Sequence, residues 1–369
     1  MKLKKIKEGK AKIWIPMEDK HKASVFYNPE AELLRDLSIS AIQVFQKDFD
    51  DKISICDALS GTGARGLRYA KEIKNAKEVV LNDNNPVAVR LIKKNIKENK
   101  LTKKCKTSKS DANVLLHQNV FVVIDIDPFG SPVNFLDSAA RSIHHKGLLC
   151  VTATDQAPLS GTYPLKCLKK YGLKSMKTEY YAELGIRILL TNIILALSKR
   201  ERAFIPMITH SDRHYFRTIG RIESLGKIND LVNEFGYVMH CSCGNRVFGK
   251  IKEKCSCGKD FQITGPLYLG EINNKTFCKK VLEDLKERKF ALAKKEEKLL
   301  DMLIAEAGMP PFYYDIHCLA KAKGFTIPKT EVLLKKLRKK GFKASRTHFC
   351  LTAIKTDADF KSFKKLLKF

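Results

Sequence analysis

The sequence predicts an α/β fold whose main sheet is parallel and doubly wound. Two observations predict this sheet: short apolar strands alternate with helices in the first half, and a glycine-rich loop follows the first core strand. A third observation, three helices before a hairpin pattern near the end, predicts a smaller separate domain. A chain of 369 residues suits two or three domains. We therefore expect a Rossmann-like domain at 1–235, a zinc-ribbon-like cysteine module at 236–265 and a winged-helix-like α+β domain at 266–369.

The first domain is predicted from alternating patterns of apolar residues. Apolar runs that indicate strands are separated by segments with a helical apolar face. Strands are predicted at 52–58, 78–81, 121–126 and 147–153, and helices at 65–73 and 86–98. This order implies a sheet with helices on both faces.

A long apolar segment at 179–197 has nearly the length of a membrane span. Glu183, Arg187 and Asn192 interrupt it, which favours a core helix. The amino-terminal residues are basic and lack the apolar stretch of a signal peptide. We therefore expect a cytoplasmic protein that does not enter a membrane.

The last hundred residues form a separate pattern of three helices followed by two strands. The helices are predicted at 296–307, 316–323 and 328–340, and the strands at 342–347 and 349–354. In a winged-helix arrangement, the third helix and the wing are the usual nucleic-acid surfaces. Residues 321–346 contain ten Lys or Arg and one acid, which predicts RNA contact here, with a solvated helix face as the alternative.

The charge of the chain indicates a polyanionic partner. The formal net charge is +29, and such an excess attracts nucleic acid. The alternative is a lysine-rich surface that only keeps the protein dissolved. No protein partner is evident, and we expect a monomer.

The glycine loop at 61–66 lies between a predicted strand and a helix, as nucleotide-cofactor loops do. Gly61 and Gly63 would let the backbone approach a ligand. NAD and S-adenosyl-L-methionine enzymes both use such loops, and three acids favour S-adenosyl-L-methionine. They are Asp57 for its ammonium group, Asp83 for the ribose hydroxyls and Asp111 for the adenine amino group. For Asp57 and Asp111 the alternative is helix capping.

A second motif, Asp127-Pro128-Phe129-Gly130, follows the apolar strand at 121–126. An exocyclic amino group of a nucleobase is a poor nucleophile, because its lone pair is delocalised into the ring. A carboxylate that accepts its N–H hydrogen bond would help, and Phe129 could stack on the base. The alternative is a structural turn with a core phenylalanine. Together with the cofactor loop, the motif indicates methylation of a nucleobase amino group.

The combination of motifs resembles the tRNA (guanine-N2)-dimethyltransferase family, whose members methylate guanine 26 of tRNA. The motifs that carry the resemblance are Val25–Pro29, Arg35–Ser38, Asp57–Gly66, Asn82-Asp83, Asp125–Pro132 and Thr152–Leu159. The resemblance is close over residues 1 to about 225. It implies a class I methyltransferase domain and two methyl transfers from S-adenosyl-L-methionine to N2 of the guanine.

The resemblance also implies roles for individual residues. The cofactor pocket should be lined by Arg35, Arg65, Asp83, Asp111 and Ala112. Asp127 should be the catalytic acceptor, and Phe26 and Phe129 should sandwich the base. For Arg35 the alternative is a surface salt bridge.

Four clustered cysteines indicate a metal site. Cys241 and Cys243 form one Cys-Ser-Cys-Gly pair, and Cys255 and Cys257 form the other. Four thiolates suit structural Zn²⁺, although each pair is one residue shorter than the usual Cys-x₂-Cys, and His240 is a possible substitute ligand. A metal-free remnant and disulfides are the alternatives.

Two other functions remain as rivals. One is methylation of another nucleobase amino group, such as adenine N6, for which Asn-Pro-Pro-Tyr would be the usual turn. The other is an RNA-binding protein without catalysis, which would be expected to lack Asp83 or Asp127, and both are present.

Overall fold

The computed structural model describes residues 2–18, 23–212, 214–323 and 329–367. The strands are β1 (Leu3–Glu8), β2 (Ala11–Pro16), β3 (Ile53–Asp57), β4 (Ala76–Asn82), β5 (Cys105–Ser108), β6 (Phe121–Ile126), β7 (Ile143–Ala153), β8 (Ala203–Asp212), β9 (Tyr215–Glu223), β10 (Phe235–His240), β11 (Arg246–Gly249), β12 (Gln262–Tyr268), β13 (Tyr314–Asp315), β14 (Ala344–Arg346) and β15 (Ala353–Thr356). The helices are α1 (Glu32–Lys47), α2 (Ala64–Glu72), α3 (Pro86–Glu98), α4 (Ala112–Gln118), α5 (Val133–Ser142), α6 (Gln156–Leu159), α7 (Pro164–Tyr171), α8 (Tyr181–Ser198), α9 (Gly226–Asn233), α10 (Lys275–Glu287), α11 (Ala293–Glu306), α12 (Ile316–Lys323), α13 (Thr330–Lys339) and α14 (Phe360–Leu367).

A seven-stranded sheet in the order β5-β4-β3-β6-β7-β9-β8 forms the centre of the molecule. The first five strands are parallel, and β9 runs antiparallel to both of its neighbours. Strand order reverses direction between β3 and β6, which is where open α/β sheets place their ligands. The predicted Rossmann-like core is confirmed, and the antiparallel end is an addition that the sequence pattern did not predict.

Alternate residues of the central strands enter two separate cores, one on each face of the sheet. Cys56 and Ile124 pack with α5 and α8, whereas Ile55 and Val123 pack with α1 and α2. Burial on both faces explains why these strands read as continuous apolar runs. Local signals fix the helix starts, as at α3, where Asn85 caps Val87 N and proline follows.

The long apolar helix α8 is the one candidate membrane span among the described residues, by length and composition, and 78% of it is buried. Glu183 and Arg187, which interrupt its apolar face, form an ion pair at 2.9 Å within the protein. The prediction of a core helix is confirmed.

The second core includes two helices that follow the cysteine module. Phe277 and Val281 of α10 and Leu300 and Leu303 of α11 are buried with residues of α1 and β2. Residues from Tyr314 to Leu367 form a third core of their own. Thus α10 and α11 close the face of the catalytic sheet that α1 covers, although they come after the cysteine module.

A buried pair of carboxyl groups joins α11 to α1. Asp36 and Glu296 are both fully buried, and Arg68 lies 2.5 Å from Asp36. Burial, with the adjacent Asp36 carboxyl, raises the pKa of Glu296 to about 9. The raised pKa favours the protonated form of Glu296, which would supply the hydrogen for a bond between the two carboxyl groups.

The three predicted helices are present as α11, α12 and α13, although α11 packs in the second core, and the hairpin differs from the prediction. Its strands are β14 and β15, and β15 also pairs with the short β13, whereas 347–352 form a loop. His348 N donates to Glu306 at 2.6 Å, and Phe349 stacks on Tyr313. These contacts draw the loop toward α11, so the predicted strand at 349–354 is wrong for its first four residues.

Candidate active site

The candidate site lies at the carboxyl edge of the sheet. Asp57 ends β3, Asp83 follows β4 and Asp127 follows β6. These three strands are adjacent and parallel, so the three carboxylates meet at one edge. Of the predicted acids, Asp111 also lies at this edge, because it follows the end of β5.

The glycine loop has the backbone conformation that the sequence predicts. Gly61 and Gly63 have φ of +54° and +81°, which favour glycine. A Cβ at Gly61 would lie 2.9 Å from the carbonyl oxygen of Phe26. Gly61 N donates to Asp83 Oδ2 at 2.8 Å. The loop is thus held against both the second strand and the segment that carries Phe26.

Asp57 makes a helix-capping contact. Its Oδ2 accepts from Gly66 N of α2 at 3.0 Å, and the residue is 1% exposed. Burial raises the pKa of Asp57 to about 7, against the lowering effect of Arg65. The capping alternative therefore describes the contact that the structure contains, and the ammonium contact stays a prediction.

Asp83 and Asp111 differ in their surroundings. Asp83 is half-buried, and its Oδ1 accepts from Asn85 N at 2.9 Å. Asp111 is exposed and caps α4 through Asn113 N at 2.8 Å, while Ala112 behind it is buried. Each carboxylate oxygen can accept more than one hydrogen bond. Capping therefore leaves acceptor capacity for a ligand at both acids.

A buried charge cluster lies directly beneath the Asp-Pro-Phe-Gly turn. Both oxygens of Asp125 accept from Arg217, at 2.8 and 2.7 Å, and Oδ2 also accepts from Tyr69 at 2.6 Å. Burial alone would raise the pKa of Asp125, but Arg217 and Arg65 outweigh it and lower the value to about 2. Asp125 therefore remains charged and anchors the cluster.

Arg65 connects this cluster to the predicted catalytic acid. Its side chain is buried, with one guanidinium nitrogen 3.4 Å from Asp125 and another in a short contact with Asp127 Oδ2. The Asp127 side chain is 25% exposed. Among the described residues, no hydrogen bond to Asp127 Oδ1 is found. Arg65 thus holds one oxygen of Asp127, and the carboxylate remains partly exposed.

Phe26 and Phe129 contact each other beside Asp127. Their ring centroids are 4.2 Å apart in an edge-to-face arrangement, and Phe129 is 74% exposed. Stacking on both faces of a base needs parallel rings about 7 Å apart, twice a carbon–carbon contact of about 3.5 Å. The structure brings the two predicted rings together. One ring must move before a base can stack between them.

The turn is held from the next strand by Thr154. Gly130 N donates to Thr154 Oγ1 at 2.6 Å, and Thr154 N donates to Gly130 O at 3.0 Å. This reciprocal pairing restrains the backbone next to Phe129, while the ring itself stays mostly exposed.

Arg35 is buried, so the alternative of a surface salt bridge is wrong. Its guanidinium donates two hydrogen bonds of 2.6 Å to Glu8 and one of 3.1 Å to the carbonyl of Asn28. Arg68 also contacts Glu8, at 3.0 Å. The network fastens the β1–β2 hairpin and the segment that carries Phe26 to α1 and α2.

Tyr215 is a site residue that the sequence did not reveal. It begins β9 beside the end of β7, at the same edge of the sheet, and is 7% exposed. Within the described residues its hydroxyl has no hydrogen-bond partner, and the same holds for Nδ1 of the adjacent His210. The negative charges of Asp212 and Asp127 add to burial in raising the pKa of Tyr215. An unpaired buried hydroxyl is available to a bound ligand.

The four clustered cysteines converge as predicted. Their sulfur atoms lie within 4.8 Å of one another, with Cys241 and Cys257 3.5 Å apart and Cys243 and Cys255 3.7 Å apart. Tetrahedral zinc with Zn–S bonds of about 2.3 Å requires sulfurs about 3.8 Å apart. The donor set fits zinc, and none of the four cysteines forms a disulfide in this structure.

Each half of the cysteine cluster is a tight turn. Gly244 N donates to the carbonyl of Cys241 at 2.8 Å, and Gly258 N donates to that of Cys255 at 2.9 Å. The ring of His240 pairs with the hydroxyl of Tyr180 at 3.1 Å instead of joining the sulfurs. The short Cys-x-Cys spacing is therefore compatible with four sulfur ligands.

Comparison with known proteins shows similarity over the full chain. A family model described as N2,N2-dimethylguanosine tRNA methyltransferase matches residues 5–368. The tRNA (guanine(26)-N(2))-dimethyltransferase of Methanosphaera stadtmanae is 40% identical, with 98% of this chain and 96% of the relative covered. That of Methanobrevibacter smithii is 39% identical, with 100% and 97% covered. The structure is also similar to that of Trm1 from Pyrococcus horikoshii in complex with S-adenosyl-L-methionine, with a TM-score of 0.90 and 32% sequence identity. The match covers 100% of each chain.

Proposed function

The chain belongs to the N2,N2-dimethylguanosine tRNA methyltransferase family, and on this basis we propose how its own residues methylate guanine 26 of tRNA. It is an S-adenosyl-L-methionine-dependent enzyme that transfers methyl groups to the exocyclic N2 of that guanine. One observation supports the assignment of roles above all others. The partly exposed carboxylate of Asp127 lies at the same sheet edge as the glycine loop, and the exposed ring of Phe129 follows two residues later in the chain.

The donor pocket is proposed to be the carboxyl edge between β3 and β5. Asp83 offers carboxylate lone pairs for the ribose hydroxyls, and Asp111 and Ala112 border the adenine. Gly61 keeps free the space that a side chain would fill. S-adenosyl-L-methionine supplies an electrophilic methyl group on a sulfonium when it is bound there. Arg35 and Asp57 support this pocket through the contacts described above.

Asp127 is proposed to accept the hydrogen bond from N2 of the guanine. This interaction would turn the nitrogen lone pair toward the methyl group, and Asp127 would take the N2 proton as the N–C bond forms and the methyl–sulfur bond breaks. Arg65 orients the carboxylate through Oδ2, so that Oδ1 faces the base. After one transfer, N2 keeps one hydrogen for a second round. After two transfers no N–H remains, and the contact with Asp127 is lost.

Phe129 is proposed to swing away from Phe26 so that the base enters between them. A guanine in folded tRNA must leave its stack to reach Asp127, and the two rings would replace part of the lost stacking. Phe129 is the ring free to move, because it is mostly exposed.

The carboxy-terminal domain is proposed to bind the body of the tRNA. Residues 321–346 contain ten Lys or Arg, and α13 lies on the exposed side of the third core. The cysteine module would hold a structural zinc ion and connect the two domains. The buried position of α8 and the free cysteines favour a cytoplasmic enzyme, which is proposed to act as a monomer.

The test combines purified protein, labelled S-adenosyl-L-methionine and unmodified tRNA transcripts with guanine or adenine at position 26, followed by nucleoside analysis. Label is expected in N2-methylguanosine and N2,N2-dimethylguanosine from the guanine transcript alone. Asp127→Asn should abolish it, whereas Asp137→Asn, which changes an exposed carboxylate on α5, should not. Label in N6-methyladenosine, or full activity of Asp127→Asn, would refute the proposal.

A further inference from the structure

A basic segment next to the active site is not used by the reaction. It is called here the α7 segment and runs from Gln156 to Thr178, with α6 and α7 inside it. It contains five lysines and no acid, and all five lysines are exposed. They are Lys166, Lys169, Lys170, Lys174 and Lys177.

Large apolar side chains are exposed among these lysines. Leu165 and Leu168 are 66% and 45% exposed, and Tyr163 is 49% exposed. The two leucines are three residues apart and share one side of α7, next to the face that buries Cys167 and Tyr171. The helix therefore buries one apolar face in the protein and presents a second one to solvent.

The α7 segment is fixed close to the catalytic turn. The Tyr171 hydroxyl donates to Asp155 at 2.6 Å, and Lys170 lies 3.1 Å from the same carboxylate. Asp155 directly follows Thr154, which pairs with Gly130 of the turn. Tyr171, Asp155 and the adjacent Thr154 thus connect α7 to the turn that carries Phe129.

The composition of this surface favours RNA over protein as its partner. Lysine is depleted at protein–protein interfaces, whereas lysines beside exposed rings and apolar side chains suit phosphates and unstacked bases. A guanine extruded for reaction leaves its neighbours in the stack partly uncovered. We propose that the α7 segment binds the tRNA beside the target guanine, with its lysines on phosphates and Tyr163, Leu165 and Leu168 against the neighbouring nucleotides. This inference rests on the proposed function.

The apolar contribution is tested with Leu165→Ser/Leu168→Ser in the full-length enzyme. The control is Leu225→Ser, because Leu225 is 56% exposed but follows β9 at the opposite edge of the sheet. We expect the double variant to lower kcat/KM for tRNA about tenfold, as loss of one stacking-type contact would, with unchanged S-adenosyl-L-methionine binding. The control should stay within about twofold.

The charge contribution is tested with Lys166→Ala/Lys169→Ala, against Lys52→Ala/Lys77→Ala at the opposite edge. tRNA affinity is measured at several salt concentrations without S-adenosyl-L-methionine, so it can be read even if no methylation occurs. The first pair should reduce the slope of log affinity against log salt by roughly 2, one per phosphate contact. The proposal would be overturned if the two lysine double variants gave equal slopes of log affinity against log salt. It would also be overturned if the leucine double variant changed the sedimentation of the protein without RNA but left kcat/KM for tRNA unchanged. Absence of methylation by the wild type would instead refute the function on which it rests.

Discussion

Replacing Asp125 by asparagine should separate folding from catalysis in the Asp-Ile-Asp motif. Asp125 is fully buried and accepts hydrogen bonds from Arg217 and Tyr69, with Arg65 nearby. Asparagine has nearly the same shape, but its amide N–H groups would face these donors. We expect the variant to fold with lower stability because two buried guanidinium groups lose their counter-charge.

The magnitude follows from two estimates. Lowering the pKa of Asp125 from 3.8 to about 2 corresponds to about 2.5 kcal/mol, at about 1.4 kcal/mol per pKa unit. Removing one partner of a buried ion pair typically costs about 3–5 kcal/mol. We therefore use the second estimate for the loss of stability, because asparagine also adds unfavourable donor–donor contacts. For a chain of this length, with an unfolding entropy of about 2.1 cal/mol/K per residue, the Tm should fall by roughly 4–6 °C.

The assay is thermal unfolding of Asp125→Asn and Asp127→Asn between pH 3 and 8. Asp127 contacts Arg65 at the partly exposed rim, so its variant should keep the wild-type Tm within about 1 °C and lose activity. The depressed pKa of Asp125 stabilises the fold above pH 3.8, and this stabilisation is lost as the pH falls toward 2. The Tm deficit of Asp125→Asn should therefore be constant from pH 5 to 8 and shrink below pH 4. A deficit under 1 °C at pH 7 would refute this account of the cluster.

Four further predictions concern other parts of the molecule. In unfolding experiments, Glu296→Gln should gain stability relative to wild type as the pH rises from 4.5 toward 9. The wild type loses stability over this range because its native state favours protonated Glu296, whose pKa is raised. A free-energy difference between the two proteins that does not change with pH would contradict a hydrogen bond shared with Asp36. Elemental analysis should find one zinc ion per chain, and Cys241→Ser should lose it and lower the Tm, whereas Cys318→Ser, outside the cluster, should keep it. Phe129→Ala should lower kcat/KM about tenfold or more and Phe129→Tyr far less, since stacking is worth about 1–3 kcal/mol per base; equal effects would exclude a stacking role. Tyr215→Phe should leave the Tm unchanged or higher, because the buried hydroxyl has no partner among the described residues, yet reduce activity; unchanged kinetics would remove it from the site.

Local sequence signals predicted the centre of the fold well. Apolar runs marked β3 and β6, and the cap and proline at Asn85-Pro86 fixed the start of α3. The same signals placed the glycine loop and Asp127 at one edge, because parallel strands share the direction of their carboxyl ends. The central α/β sheet and its ligand-binding edge could therefore be predicted from the residues themselves.

Other parts of the site depend on contacts between distant residues. Arg217 reaches Asp125 across the sheet from 92 residues away, and no local pattern marks that pairing. A charged residue within an apolar strand, such as Asp125, was the available signal that a buried partner must exist. The capping contacts of Asp57 and Asp111 are local, but spacing alone could not distinguish a cap from a ligand contact.

The packing of α10 and α11 in the second core, against α1, has a consequence for synthesis on the ribosome. Their apolar faces complete the layer over α1, yet α11 ends only at Glu306, 83 residues after β9, the last strand of the central sheet, ends at Glu223. At about 5–20 residues per second, this part of the chain takes roughly 4–17 s to emerge. During that interval the nascent methyltransferase domain exposes the apolar surface of α1 beside Asp36. A fragment that stops at residue 235 would keep that surface exposed permanently, so the catalytic unit should be produced only together with the helices that follow the cysteine module.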